Sequence, residues 1–180
     1  MADEISNDKG TVVEAGTIVG AVSPYAMALT SDDLFKMAAA HQKGDHVPLA
    51  KYYVLCVSIE LGLKAAVLAS GCTSERKGYI KRLSHDLVAV HEGFAKTFSS
   101  PLGAVDLEAI SKINTYFKNK SLEYIKADLL VAALKGFQDF PEVDVLVEAA
   151  RKVSDFLRSN DFFINAKTDE PSVGGAITIA

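Results

Sequence analysis

PLAKYYVLCVSIELGLKAAVLASG, residues 48–71, decides the fold of this chain. Pro48 suits the first turn of a helix, where its missing N–H has no intrahelical bond to lose. Gly71 suits the position just past a helix end, where glycine turns left-handed at little cost. Between them Ala50, Val54, Val57, Leu61, Ala65 and Leu68 recur at spacings of three and four, and Tyr53, Cys56, Leu63 and Val67 widen the stripe. A helix apolar over so much of its circumference is central and touches several neighbours. A membrane span has similar length and hydropathy, but Glu60 and Lys64 fall near the middle of the run. Charges at a bilayer centre cost several kcal/mol, so a buried core helix is expected and no membrane partner.

The flanks extend the same pattern. Thr30 and Asp33 have the spacing of a capping box, with Asp in place of the usual Glu or Gln. They predict a helix start there, running to about Lys43, with Leu34, Met37, Ala38 and Ala40 inward. After Gly71 a polar, basic stretch from Thr73 to Ser84 precedes a helix from His85 to about Phe98, with Leu87, Val90, His91, Phe94 and Phe98 inward. A loop around Pro101 and Gly103 leads to a helix carrying Leu107, Ile110, Ile113 and Phe117. Residues 121–138 read ambiguously, with some helical character. Pro141 opens a last helix with Val143, Leu146, Ala150, Val153 and Leu157 on one face. Alternation of period two is scarce. Short links favour antiparallel neighbours, so the expected fold is all-α, an antiparallel up-down bundle of four to five helices. Residues 23–164 form this bundle. Residues 1–22 and 165–180 hold scattered glycines and no sustained period, and are expected as flexible arms.

Bulk composition narrows the function classes. A chain of 180 residues with 49% hydrophobic and 23% charged residues suits one globular domain. The formal net charge of -4 excludes a generally basic nucleic-acid-binding surface, so any phosphate contact must come from a local patch. Cys56 and Cys72 form no CxxC pair, and two cysteines are too few for a disulfide framework. The opening MADEISNDKG lacks the apolar core of a secretory signal, which leads to a cytoplasmic expectation. His41 and His46 are five apart and His85 and His91 six apart, neither matching the spacing that sets two ligands on one helical face. Gly62 and Gly71 are isolated and make no phosphate loop. No metal and no cofactor is expected.

The charged residues worth weighing lie in and just after the apolar run. Glu60 and Lys64 are the only charges between Tyr52 and Ser74, stand one helical turn apart, and have Glu on the N-terminal side. A buried charge must be paired or used. They read either as a structural ion pair at the rim of the core or as a polar notch offering a carboxylate and an ammonium to a ligand. Ser84, His85 and Asp86 read as a helix start, with Ser84 as N-cap and Asp86 in the first turn. That accounts for Ser84 and Asp86 but does not require a histidine at 85. Three consecutive side chains diverge, so they are no hydrolytic triad. Arg76, Lys77, Lys81 and Arg82 stand against the single acid Glu75. They form either a solvated turn or a phosphate-holding patch beside His85, with Tyr79 available to stack on a base.

The order ELGLKA, a Gly-ended turn, a short charged segment and then HDL resembles the HEPN domain family, most clearly from about Leu55 to Phe94. The distal part, with Tyr124 and the helix after Pro141, is compatible but less specific. The resemblance implies a bundle of four or five helices, often as a homodimer. It also implies nucleotide or RNA binding, in toxin–antitoxin or nucleotidyltransferase-associated systems. Ribonuclease members carry an Arg a short, restricted distance ahead of His. That spacing would put the arginine at Ile80, Tyr79 or Gly78; Arg82 is too close to His85 and Arg76 too far. Without it the attacked phosphate lacks its expected partner. The expectation is therefore a non-catalytic binding or regulatory module. Its ligand-binding residues would be Glu60, Lys64, Arg76, Lys77, Tyr79, Lys81, Arg82, His85 and Asp86. The ligand would be a nucleotide, an RNA or a partner protein such as a nucleotidyltransferase. Two alternatives remain open at this point: a metal-independent endoribonuclease using His85 with Arg82 or a second subunit's arginine, and a purely structural partner protein.

Overall fold

A computed structural model describes residues 23–41, 47–71, 85–124 and 126–160. These form six α-helices: α1 (Pro24–Ala40), α2 (Leu49–Ala69), α3 (Leu87–Ala95), α4 (Ala104–Lys118), α5 (Ala127–Leu134) and α6 (Val143–Ser159). No strand occurs among the described residues, so the described fold is all-α. Both expected arms, 1–22 and 165–180, lie outside them.

The helix read first from the sequence is the centre. Leu55, Cys56, Ile59, Leu63 and Ala66 on α2 have almost no solvent contact, and α2 packs against α1, α6, α3 and α4. It is long and apolar enough to cross a membrane, but most of its apolar window is buried inside the fold. The expected stripe is met in its C-terminal half only: Ala65 and Leu68, with Cys56, Leu63 and Val67 beside them, are buried, whereas Ala50 is exposed and Tyr53, Val54, Val57 and Leu61 are only half-buried. A helix apolar nearly all round carries no strong phase in its sequence, so packing selects the innermost face. On α6, where one face alone is apolar, Val143, Leu146, Ala150, Val153 and Leu157 are all buried as read.

The first helix starts earlier than its sequence suggested. Pro24 occupies its first turn, and Thr30 is interior, its Oγ1 donating back to the Ala26 carbonyl at 2.8 Å. A hydroxyl satisfied within its own helix caps nothing, so the expected Thr30–Asp33 capping box is absent. The helix also ends at Ala40, before the expected Lys43. Its buried residues are Met27, Ala28, Ser31, Asp32 and Ala38, while Met37 and Ala40 face solvent. Small residues bring α1 against α2. Ser31 Oγ donates to the Ser58 carbonyl and Ser58 Oγ to the Ser31 carbonyl, each at 2.7 Å. Asp32 then ties α1 to α6, accepting from Ser154 Oγ at 2.6 Å and from Arg158 at 2.5 Å, with Lys36 at 2.6 Å.

Candidate functional site

Glu60 and Lys64 lie on the part of α2 that faces the start of α3. Their side chains are only 6% and 9% exposed, and Lys64 Nζ donates to Glu60 Oε1 at 2.5 Å. The other carboxylate oxygen, Oε2, lies 3.0 Å from His85 Nδ1. The His85 side chain is 45% exposed, so a surface imidazole stands on a buried ionic anchor. A carboxylate only accepts, so this contact puts a hydrogen on Nδ1 and leaves Nε2 as the nitrogen not engaged by Glu60. The ring also meets Phe117 edge-on at 5.6 Å, and Phe117 in turn lies 6.1 Å from Tyr53. Two of the sequence-expected site residues are thus joined to a third from 25 positions away.

Asp86 has a different role from the one expected. It is itself the N-cap of α3, accepting the Ala89 N–H at 3.1 Å, whereas Ser84 was expected as the cap with Asp86 in the first turn. Its carboxylate also accepts from Asn114 Nδ2 at 3.1 Å and pairs with Lys118, while Asn114 Oδ1 accepts the Leu87 N–H at 2.8 Å. Asp86 therefore fixes the entry of α3 against α4, and through that entry positions His85. Asn114 and Lys118 were missed from the sequence. Asn114 follows Ile110 by four and precedes Phe117 by three, so its place on the inward side of α4 was legible.

Arg76, Lys77, Tyr79, Lys81 and Arg82 lie outside the described residues, as do Cys72 and Ser84. Cys56 is fully buried, and burial pushes its thiol up, so it is a core side chain and no nucleophile. Among the described residues no three His, Cys, Asp or Glu side chains are grouped to hold a metal ion.

Acid sensitivity follows from two carboxylates. Burial pushes the Asp86 carboxyl up, but hydrogen bonds from Lys118, Ala89 and Asn114, with the Lys118 charge, more than reverse this and hold it below its ordinary value. Burial likewise raises Asp32, and Lys36, Ser154 and Arg158 bring it below. A depressed folded-state value gives stability that is full above the unfolded value of about 4 and is lost as pH falls through the folded value. Asp86→Asn keeps a capping side chain. It should flatten the dependence of melting temperature on pH below about 4, measured by thermal melts across that range.

No family model matches the chain, and neither curated proteins nor solved structures give a match.

Proposed function

We propose that the chain is a HEPN-like binding or regulatory module that holds a phosphate-bearing ligand, a nucleotide or an RNA, against the His85 notch. The observation that carries this reading is the buried Glu60–Lys64 pair beneath a half-exposed His85. Two charges withdrawn from water on a central helix, with an imidazole presented above them, are more than core packing requires. The same reading includes an antiparallel up-down arrangement of the main helices, a cytoplasmic homodimer, and service in a toxin–antitoxin or nucleotidyltransferase-associated system. The basic stretch Arg76–Arg82, which ends three residues ahead of His85 in sequence, supplies charge for the phosphates.

A second reading, metal-independent RNA cleavage, has one observation in its favour. Glu60 holds His85 Nδ1, as an orienting carboxylate holds a general base. One single-stranded RNA, assayed for gel shift and for cleavage, separates the two. Under the binding reading wild type shifts the RNA, the shift weakens as salt rises, and no cleavage occurs. Arg76→Glu with Arg82→Glu abolishes the shift without unfolding the protein, and His85→Ala weakens it only modestly. Robust wild-type cleavage that vanishes in His85→Ala would overturn the binding reading. Neither shift nor cleavage would leave a structural partner protein.

A further inference from the structure

We infer that the His85 notch continues into a stacking surface for an unpaired nucleobase, formed by Tyr53 and Tyr124 beside His85, so that its ligand carries an open base rather than a duplex or a bare phosphate. This surface rests on the reading of the notch as a phosphate holder and adds the base to it.

Tyr53 stands seven residues before Glu60 on α2, two helical turns away on the same face. From Glu60 the rings run outward in a row. His85, held by Glu60 at 3.0 Å, meets Phe117 edge-on at 5.6 Å, and Phe117 meets Tyr53 at 6.1 Å. Phe117 is buried and spaces the other two. Tyr124 ends the row. Its hydroxyl donates to Glu123, whose bond and charge hold it above its ordinary value, and nearby Tyr53 adds to that rise. Burial first, then Glu123 and Glu60, push up the Tyr53 phenol. Both tyrosines and Glu123 therefore share one neighbourhood. Both phenols stay neutral at neutral pH, so neither ring presents a charge to an incoming base.

Neighbouring Tyr52 shows what a structural tyrosine is in this fold. It is buried, and its hydroxyl donates to the Pro141 carbonyl at 2.5 Å. Tyr53 is only half-buried, and among the described residues no hydrogen bond reaches its hydroxyl. Tyr124 is 57% exposed. Tyrosine rings left open beside a phosphate-holding histidine suit a base, because every base has a face to stack. A duplex keeps those faces covered, whereas a single strand or a free nucleotide offers them. Glu123 adds polarity. Its side chain is 32% exposed and stands 4.0 Å from Lys120, at the limit of an ion pair. A carboxylate accepts at both oxygens, so Glu123 retains an acceptor for a base N–H group. The phosphate then lies at the His85 end.

Labelled oligoadenylate, an abasic oligomer of the same length and an RNA duplex, followed by fluorescence anisotropy against the full chain, test the surface. Wild type should hold oligoadenylate about tenfold or more tighter than the abasic oligomer, the effect of stacking a single base. The duplex should bind no better than the abasic oligomer. Tyr124→Ala should remove most of that margin and leave the slope of affinity against salt unchanged, because no phosphate contact is lost. Tyr124→Phe keeps the ring and should keep the margin. Tyr124 is exposed, so both variants should melt as wild type does; Tyr53→Leu should reduce the margin independently. AMP and ribose 5-phosphate, titrated calorimetrically, separate the two sources of a base. AMP binding that Tyr124→Ala weakens, without an oligoadenylate shift, assigns the surface to a free nucleotide, and the converse assigns it to a single strand. A margin that survives in Tyr124→Ala, a duplex bound as tightly as oligoadenylate, or bases that add nothing in either comparison would overturn the stacking surface and leave the notch as a phosphate holder. Binding of none of these probes would retire both.

Discussion

Gly62→Ala should destabilise the fold by about 2 kcal/mol, and Gly62→Val should cost more still. A Cβ on Gly62 would stand 2.5 Å from Val153 Cγ1 and 2.8 Å from Ser31 Oγ, where α1, α2 and α6 meet. Neither neighbour gives way cheaply. Val153 is buried on α6, and a helical valine has essentially one comfortable rotamer. Ser31 Oγ is fixed by its bond to the Ser58 carbonyl. Intrinsic helix propensity works in the opposite direction, favouring Ala over Gly by about 1 kcal/mol, so the sign of the measured change decides whether the clash dominates. A loss of ~2 kcal/mol corresponds to a fall of roughly 4–8 °C in melting temperature for a domain of this size. Val153→Ala in the Gly62→Ala background should recover part of the loss, a coupling expected only of residues in contact. A melting temperature at or above wild type would mean that α1 and α6 do not close on Gly62.

That glycine illustrates where the sequence is readable and where it is not. As a letter in ELGLKA it is a lone helix breaker, and only the crossing of three helices explains it. Helix identity was legible because 3.6-residue patterns mark 104–118 and 143–159, and because 49–69 is one long apolar run between Pro48 and Gly71. The inner face of α6 was legible because apolar residues occupy one side only. The inner face of α2 was not, since every side is apolar and burial is decided by α1 and α6. Boundaries failed where two good signals compete. Pro24 and Thr30 both announce a helix start, as do Ser84 and Asp86, and neighbours from other helices choose between them. In the site, Glu60 and Lys64 were readable as the sole charges of an apolar run. Their junction with His85, and the binding of Asp86 to Asn114 and Lys118, depend on how α3 and α4 dock against α2, which local pattern does not encode.

Lys64→Ala should lower stability by about 3 kcal/mol, near the bottom of the range for breaking a buried ion pair, because it strips a 6%-exposed carboxylate of its closest cation. Glu60→Ala should be at least as damaging, since it removes the acceptor of both Lys64 and His85. Replacing both together, Glu60→Leu with Lys64→Met, removes the need to desolvate two charges and should be less destabilising than either alanine variant. Thermal melts on the four proteins test that order, and unchanged midpoints for both alanine variants would mean the pair is merely a surface feature. The apolar double variant also separates structure from site. It keeps the core filled but deprives His85 Nδ1 of its carboxylate, so the imidazole is no longer held in one orientation. If the notch works as proposed, this variant stays folded and binds RNA no better than His85→Ala. A double variant as stable as wild type that shifts RNA equally well would reduce Glu60 and Lys64 to a structural ion pair at the rim of the core.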